Sequence, residues 1–365
     1  MKTVYTKEEL IHVWLDSFLG LEYKHKIQMV QMIDLNKQSF NLPANREYLI
    51  SMLGESVYST LLSSANQIYL DYVLEGLDRR GVKVLALCSN GYPQSLSNTE
   101  IPPFVLYYKG DVKLFNERET FGVVGSRKSL PLSLKLAQNY AKALIDVGFT
   151  LVTGTADGVD GEVLKSALDK GAKAISVVAG GFDHIYPASN KDLVERIAEN
   201  GLIISEYPPE TMAKPFHFPI RNRIISALSR GVLIVSGAMK SGTLYTAEYA
   251  LEYGKDLFAI PYSVGVSSGA GCNDLIKRGA ILTDSPQDIL DYYGKEQTKK
   301  SLEFSEQEKQ IIKALSNGEL HIEKLSQLLE KRAYEIMPTL SVLEIKGVIN
   351  KSGNIFGLTG NYLED

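Results

Sequence analysis

From residue 121 the chain reads FGVVGSRKS (121–129). The same kind of stretch returns as FTLVTG (149–154), AKAISVVAG (172–180), GLIISEY (201–207), GVLIVSG (231–237), DLFAIP (256–261) and AILTD (280–284). Each is continuously apolar rather than alternating, as a strand covered on both faces should be. Helical stretches separate them. Strand and helix in alternation predict an α/β fold built on a doubly wound parallel sheet. Such sheets bind ligands outside the carboxyl ends of their strands, where the strand order reverses. The loops after these strands are therefore where chemistry is expected.

Several of those loops are rich in glycine and small polar residues. Gly125, Ser126, Arg127 and Lys128 follow the first strand directly. Glycine admits close backbone approach, and successive N–H groups ahead of a helix form an anion site. The Arg127 guanidinium adds a planar fork suited to phosphate. A tight turn with a solvated arginine fits the same letters. TGTADGVDG (153–161) supplies Gly154, Ala156 and Gly158 ahead of a helix expected over 158–170. Asp160 is either a ligand-site carboxylate or a favourable charge at that helix N-terminus.

KPFHFPIRNRIISALSRG (214–231) places Arg221, Asn222 and Arg223 at the start of a helix, with Phe216, His217 and Phe218 just upstream. Cations for the backbone and aromatic faces for the bases are what single-stranded nucleic acid requires. The competing reading makes the aromatics loop anchors and the arginines ion-pair partners. In MKSGTLYTAEYA (239–250), Lys240, Ser241, Gly242 and Thr243 form another small polar loop, and GAGCNDLIKRGA (269–280) adds Gly271 and Asn273. Several such loops on one edge of one sheet say more than any one of them.

The flanks read differently. Residues 1–75 are expected to form a helical domain, with Leu10, Ile11, Trp14, Leu15 and Phe18 on one apolar stripe and further helices over 26–34, 45–53 and 56–74. Residues 76–293 hold the α/β domain, with two early strands, Val82–Leu87 and VLYYKG (105–110), ahead of the main series. A polar linker, GKEQTKKSL (294–302), leads to a third unit over 303–365. Three helical patterns followed by a short ribbon give that unit a winged-helix layout.

The formal net charge is -4, so nucleic-acid binding cannot be argued from bulk electrostatics and would need a local basic patch. Residues 302–365 carry 7 Lys+Arg against 10 Asp+Glu, which disfavours the third unit as a reader of phosphates. Cys88 and Cys272 have no CxxC or metal-ligand spacing, so no metal is expected and both are read as structural thiols of a reducing compartment. With no apolar leader in MKTVYTKEEL and no membrane-spanning run, a cytoplasmic protein is expected. GVVGSR is not GxGxxG, and GxxxxGK[ST] does not occur. No dinucleotide or nucleoside-triphosphate cofactor is therefore expected.

VVGSR (123–127), TGTADGVDG, YPASNKDL (186–193), SEYPP (205–209), FPIRNRIISALSRGVLIVSGAMKSGTLYTAEYAL (218–251) and FAIPYSVGVSSGAGCNDLIKRGA (258–280) together resemble the DNA-processing protein A (DprA, or Smf) family over about residues 80–290. The resemblance implies an extended Rossmann-like, non-catalytic protein that binds single-stranded DNA. It also implies homodimerisation, protection of incoming DNA and loading of RecA recombinase in natural transformation. It assigns Arg127 as a phosphate-binding arginine and Lys191 as a basic DNA contact, with Arg221, Asn222 and Arg223 as the RNR element and Ser241–Thr243 as a binding loop. Phe218 and Lys240 join the expected interface. The helical start resembles the family's SAM-like extension, and GVINKSGNIFGL (347–358) its small winged helix. Two stretches depart: TGTADGVD where the family often has SGxAxGID, and Pro261-Tyr262 where it often has PG.

The alternative is an enzyme, a phosphoribohydrolase-like nucleotide hydrolase of related fold. Its GGxGTxxE loop resembles SGTLYT here, but Thr246 stands where the glutamate would be, and Glu248 is two positions on. All the binding loops lie between Gly125 and Asn273, so both flanking units are expected to be dispensable for binding.

Overall fold

The chain divides into two compact units, residues 1–297 and 298–365. The computed structural model describes residues 5–296 and 304–359. The first unit opens with five helices: α1 (Lys7–Asp16), α2 (Tyr23–Val30), α3 (Arg46–Leu53), α4 (Glu55–Ser64) and α5 (Gln67–Arg79). One helix was expected over 56–74, and two are found. The break falls at Asn66, whose extended backbone and side-chain bond from Tyr69 N–H cap a new helix.

The sheet follows. Its strands are β1 (Lys83–Ala86), β2 (Val105–Gly110), β3 (Thr120–Val124), β4 (Thr150–Thr153), β5 (Ala174–Val177), β6 (Leu202–Ser205), β7 (Gly231–Ile234), β8 (Asp256–Ala259) and β9 (Ile281–Leu282). They lie in the order β1-β2-β6-β5-β4-β3-β7-β8-β9. Strands β3 to β9 run parallel, and β1 and β2 add an antiparallel pair at one edge. The chain steps outward from β3 to β6, then returns to lay β7 against the other side of β3. The order therefore reverses between β3 and β7.

The connecting helices are α6 (Gln94–Ser97), α7 (Pro131–Asp146), α8 (Val159–Asp169), α9 (Lys191–Asn200), α10 (His217–Leu228), α11 (Thr243–Glu252), α12 (Ala270–Lys277) and α13 (Pro286–Tyr292). Alternate residues of each strand serve opposite faces. Phe121 and Val123 of β3 pack with Ala137, Tyr140 and Leu144 of α7 and with Val163 of α8. Val124 joins Ile224 and Leu228 of α10, Ala247 of α11 and Leu275 of α12 on the other face. This is the expected doubly wound α/β fold.

Helices α1–α5 share an apolar cluster with the sheet. Val13, Trp14, Leu49, Leu61 and Leu70 join Phe104, Val105 and Tyr107, together with Val194 and Ile197 of α9. Tyr107 OH donates to Asp16 Oδ2 at 2.8 Å across the same boundary. Deleting residues 1–75 would uncover this face of the sheet, so the segment contributes to the stability of the α/β core whatever it contributes to binding.

The second unit holds α14 (Glu306–Leu315), β10 (Leu320–His321), α15 (Ile322–Leu329), α16 (Ala333–Ile345), β11 (Ile349–Ser352) and β12 (Ile355–Leu358) around a cluster that includes Ile311, Leu325, Leu340 and Phe356. Its sheet order is β10-β12-β11. Two-residue β10 is too short to read from sequence. Among the described residues, no helix is long and apolar enough to cross a membrane.

Trp14 is fully buried, with its Nε1–H donating to Ser64 O at 3.1 Å. Trp14→Ala should cost about 3–5 kcal/mol. Because the cluster is continuous, amides of β2 and β6 should lose hydrogen-exchange protection along with those of α1–α5. Protection lost in the helices alone would mean that the two parts unfold separately.

Candidate nucleic-acid interface

A cleft of about 430 Å³ opens at the carboxyl ends of the strands where the order reverses. Gly125, Ser126, Arg127 and Lys128 form one wall, on the loop after β3. Ala156 comes from the β4–α8 connection and Asp160 from the first turn of α8. Phe218, Arg221 and Asn222 come from the first turns of α10, and Ser241, Gly242, Thr243 and Thr246 from the start of α11. Loops separated by more than a hundred residues thus converge on one hollow.

Its floor is charged. Arg221 is only 3% exposed. Its Nη1 donates to the Val177 carbonyl at the end of β5, and its Nε donates to Asn222 Oδ1 at 3.2 Å. Nη2 lies 3.9 Å from Asp160 Oδ2. Burial lowers the Arg221 pKa to about 10, and Asp160 opposes that fall, so the guanidinium stays charged at neutral pH. Burial likewise raises the Asp160 carboxyl, against the pull of Arg221. Asp160 also accepts from Ala156 N–H at 3.4 Å and so ties down the turn before α8. Gly154 lies against this pair, and a Cβ there would collide with both side chains. Gly158 has φ +80° and packs against the Ser126 carbonyl, so it too must lack a side chain.

The mouth is basic and aromatic. Arg127 is exposed, and its guanidinium lies 4.1 Å from the Phe218 ring centre. Phe218 in turn meets Tyr186 edge-on at 5.8 Å. Lys128 is exposed beside Arg127, and Lys214 is exposed at the entrance to α10. Among the described residues, neither they nor Arg127 lies within ion-pair distance of a carboxylate. The loops that carry them are braced. Ser126 N–H donates to Ser236 Oγ at 3.2 Å, and Asn222 Nδ2 donates to Gly242 O at 3.2 Å, joining α10 to the loop before α11. Ser241 and Thr243 bond to each other.

Other expected residues lie elsewhere. Arg223 does not line the cleft. It is buried in an ion pair with Glu206, beyond the end of β6. Two residues along a helix turn the side chain by about 200°, so Arg221 and Arg223 face opposite ways. Lys191 is exposed on α9, 3.9 Å from Glu195. Lys240 is exposed on the loop before α11, outside the cleft wall. Asn273 holds the Tyr262 backbone through both its amide atoms, at 2.8 and 2.9 Å. It lines a separate hollow of about 390 Å³.

One residue of interest was not expected. Tyr186 lies in YPASNKDL, where only Lys191 stood out. Thr246 lines the cleft 1% exposed, with no partner for its Oγ1 among the described residues. Glu248 is exposed on α11 and does not line the cleft. Burial pushes the Cys88 thiol up to about 11 and the Cys272 thiol up to about 12, which leaves both as poor nucleophiles.

The family described as DNA recombination-mediator protein A matches residues 83–294, which include every wall of this cleft. The chain belongs to that family. It is 37% identical over 235 residues to DNA processing protein DprA of Bacillus subtilis, an alignment covering 64% of this chain and 79% of the relative. The crystal structure of DNA processing protein A from Streptococcus pneumoniae superposes with a TM-score of 0.59 at 30% identity, covering 83% of this chain and all of that one. A structure of the Helicobacter pylori protein, described for its single-stranded DNA binding mode, gives a TM-score of 0.53 at 32% identity over 58% of this chain and 95% of that one.

The buried Arg223–Glu206 pair predicts a stability effect. Arg223→Ala strands the Glu206 carboxylate and should cost about 3–5 kcal/mol by urea unfolding. The double change Arg223→Met with Glu206→Leu should recover most of it. Equal losses from the single and double changes would show that the pair does not govern the effect.

Proposed function

We propose that this protein binds single-stranded DNA at the cleft, as a mediator that performs no reaction on it. The observation that carries this reading is the exposed Arg127 guanidinium lying on Phe218 at the mouth of a cleft where an open α/β sheet accepts ligands. Arg127 and Lys128 supply charge for backbone phosphates, and Phe218 supplies a face on which a base can stack. The Arg221–Asp160 pair shapes the floor beneath them. The Helicobacter pylori relative, described for single-stranded DNA binding, supports the same assignment.

On this reading the chain acts in the cytoplasm as a homodimer. It protects incoming single strands and hands them to RecA recombinase during natural transformation or related recombination. Lys191 and Lys240 extend the contact with DNA from outside the cleft. Arg223 acts indirectly, by fixing α10.

Phosphate contacts carry no sequence information, so affinity should be nearly the same for strands of different sequence. Each neutralised phosphate contributes about −0.7 to the log–log salt slope for single strands. Arg127→Ala should weaken binding on all sequences alike and flatten that slope by about one contact, while the exposed position leaves the melting temperature in place. A folded Arg127→Ala protein with an unchanged slope would falsify the phosphate role.

A further inference from the structure

The entrance to α10 carries a second aromatic that the cleft does not use. Phe216 is 59% exposed, stands at the N-cap of α10 and lies outside the cleft lining. Its ring is backed along one edge. It meets the His217 ring edge-on at 4.5 Å. His217 is buried, stacked on Tyr207 at 4.2 Å, with Nδ1 3.1 Å from the Ala179 carbonyl. Lys214 places its ammonium 5.9 Å from the Phe216 ring centre. A solvent-facing ring with a cation beside it is the element that single-stranded nucleic acid uses for stacking.

We infer that Phe216 is a second base-stacking station, outside the cleft and two residues upstream of Phe218, on which a neighbouring nucleotide of the bound strand rests. The inference depends on the proposed binding of single-stranded DNA at the cleft. Met212 and Ile220 are also exposed, four residues to either side, so the patch has some character of a protein surface. The cations decide for a polyanion: Lys214 lies beside the ring at 5.9 Å, and Arg127 and Lys128 are exposed on the neighbouring cleft wall. A stacking face is indifferent to base identity, so this station adds affinity with strand length rather than sequence preference.

The intact protein tests this with oligothymidylates. Phe216→Ala should weaken binding of a strand of about 20 nucleotides on the order of tenfold. It should leave unchanged the affinity for the shortest strand that occupies the cleft. Phe216→Trp should bind as the unchanged protein does, and its emission should be quenched by the oligonucleotide. The signal is clean because Trp14 is the sole natural tryptophan and is fully buried. Equal losses at both lengths with a lowered melting temperature would make Phe216 a brace and overturn the inference. So would unquenched emission at saturation, or unaltered binding of the long strand by Phe216→Ala. If the unchanged protein binds no oligothymidylate of any length, the cleft assignment itself falls, a result distinct from normal binding that ignores Phe216.

Discussion

The buried guanidinium of Arg221 is the constraint around which the carboxyl edge of the sheet is arranged. A charge almost out of water must be compensated by hydrogen bonds and a counter-charge. The Val177 carbonyl and the Asp160 carboxylate meet that demand from β5 and from α8. Helix α10 packs on one face of the sheet and α8 on the other, so this group of contacts joins the two layers at the open end. Gly154 must then lack a side chain, because the pair occupies the space its Cβ would take. The cleft is what remains above this arrangement.

That arrangement separates two jobs that the sequence places side by side. Arg221 and Arg223 are spent on structure, each buried against a carboxylate. Arg127 and Lys128 are exposed and carry no carboxylate partner among the described residues. A cation already paired in the interior gains little from a phosphate, whereas an exposed one exchanges only counterions for it. On the proposed reading the exposed cations are thus the better phosphate ligands, although the RNR element is the more conspicuous in sequence.

The parallel strands were legible because burial on both faces leaves continuous apolar runs, and FGVVG, GVLIVSG and DLFAIP could be little else. The site was legible as a set of loops because the strand ends of such a fold share one edge. Three things were not legible. Apolar stripes on α1–α5 announce burial but not against what, so their sharing a core with β2 and α9 had to come from tertiary structure. The division of labour in the RNR element depends on where α10 begins, since one residue of shift rotates every side chain by about 100°. Tyr186 looks like any loop aromatic in sequence, and only its exposure and its contact with Phe218 mark it out.

The net charge of -4 bears on which nucleic acid such an edge prefers. Cations alone attract duplex and single strand, and a mildly acidic protein repels both at long range. Aromatic faces break that symmetry. In a duplex the bases already stack on one another and turn their edges to the grooves, so Phe218, Phe216 and Tyr186 would find no partner there. In a single strand the faces are available, and each stacked base contributes about 1–3 kcal/mol. On the proposed reading, preference for single strands therefore comes from the rings, and the cations set its salt dependence. Salt screens the cationic contribution and leaves stacking nearly untouched. Raising ionic strength should therefore sharpen the preference for single strands even as it lowers total affinity.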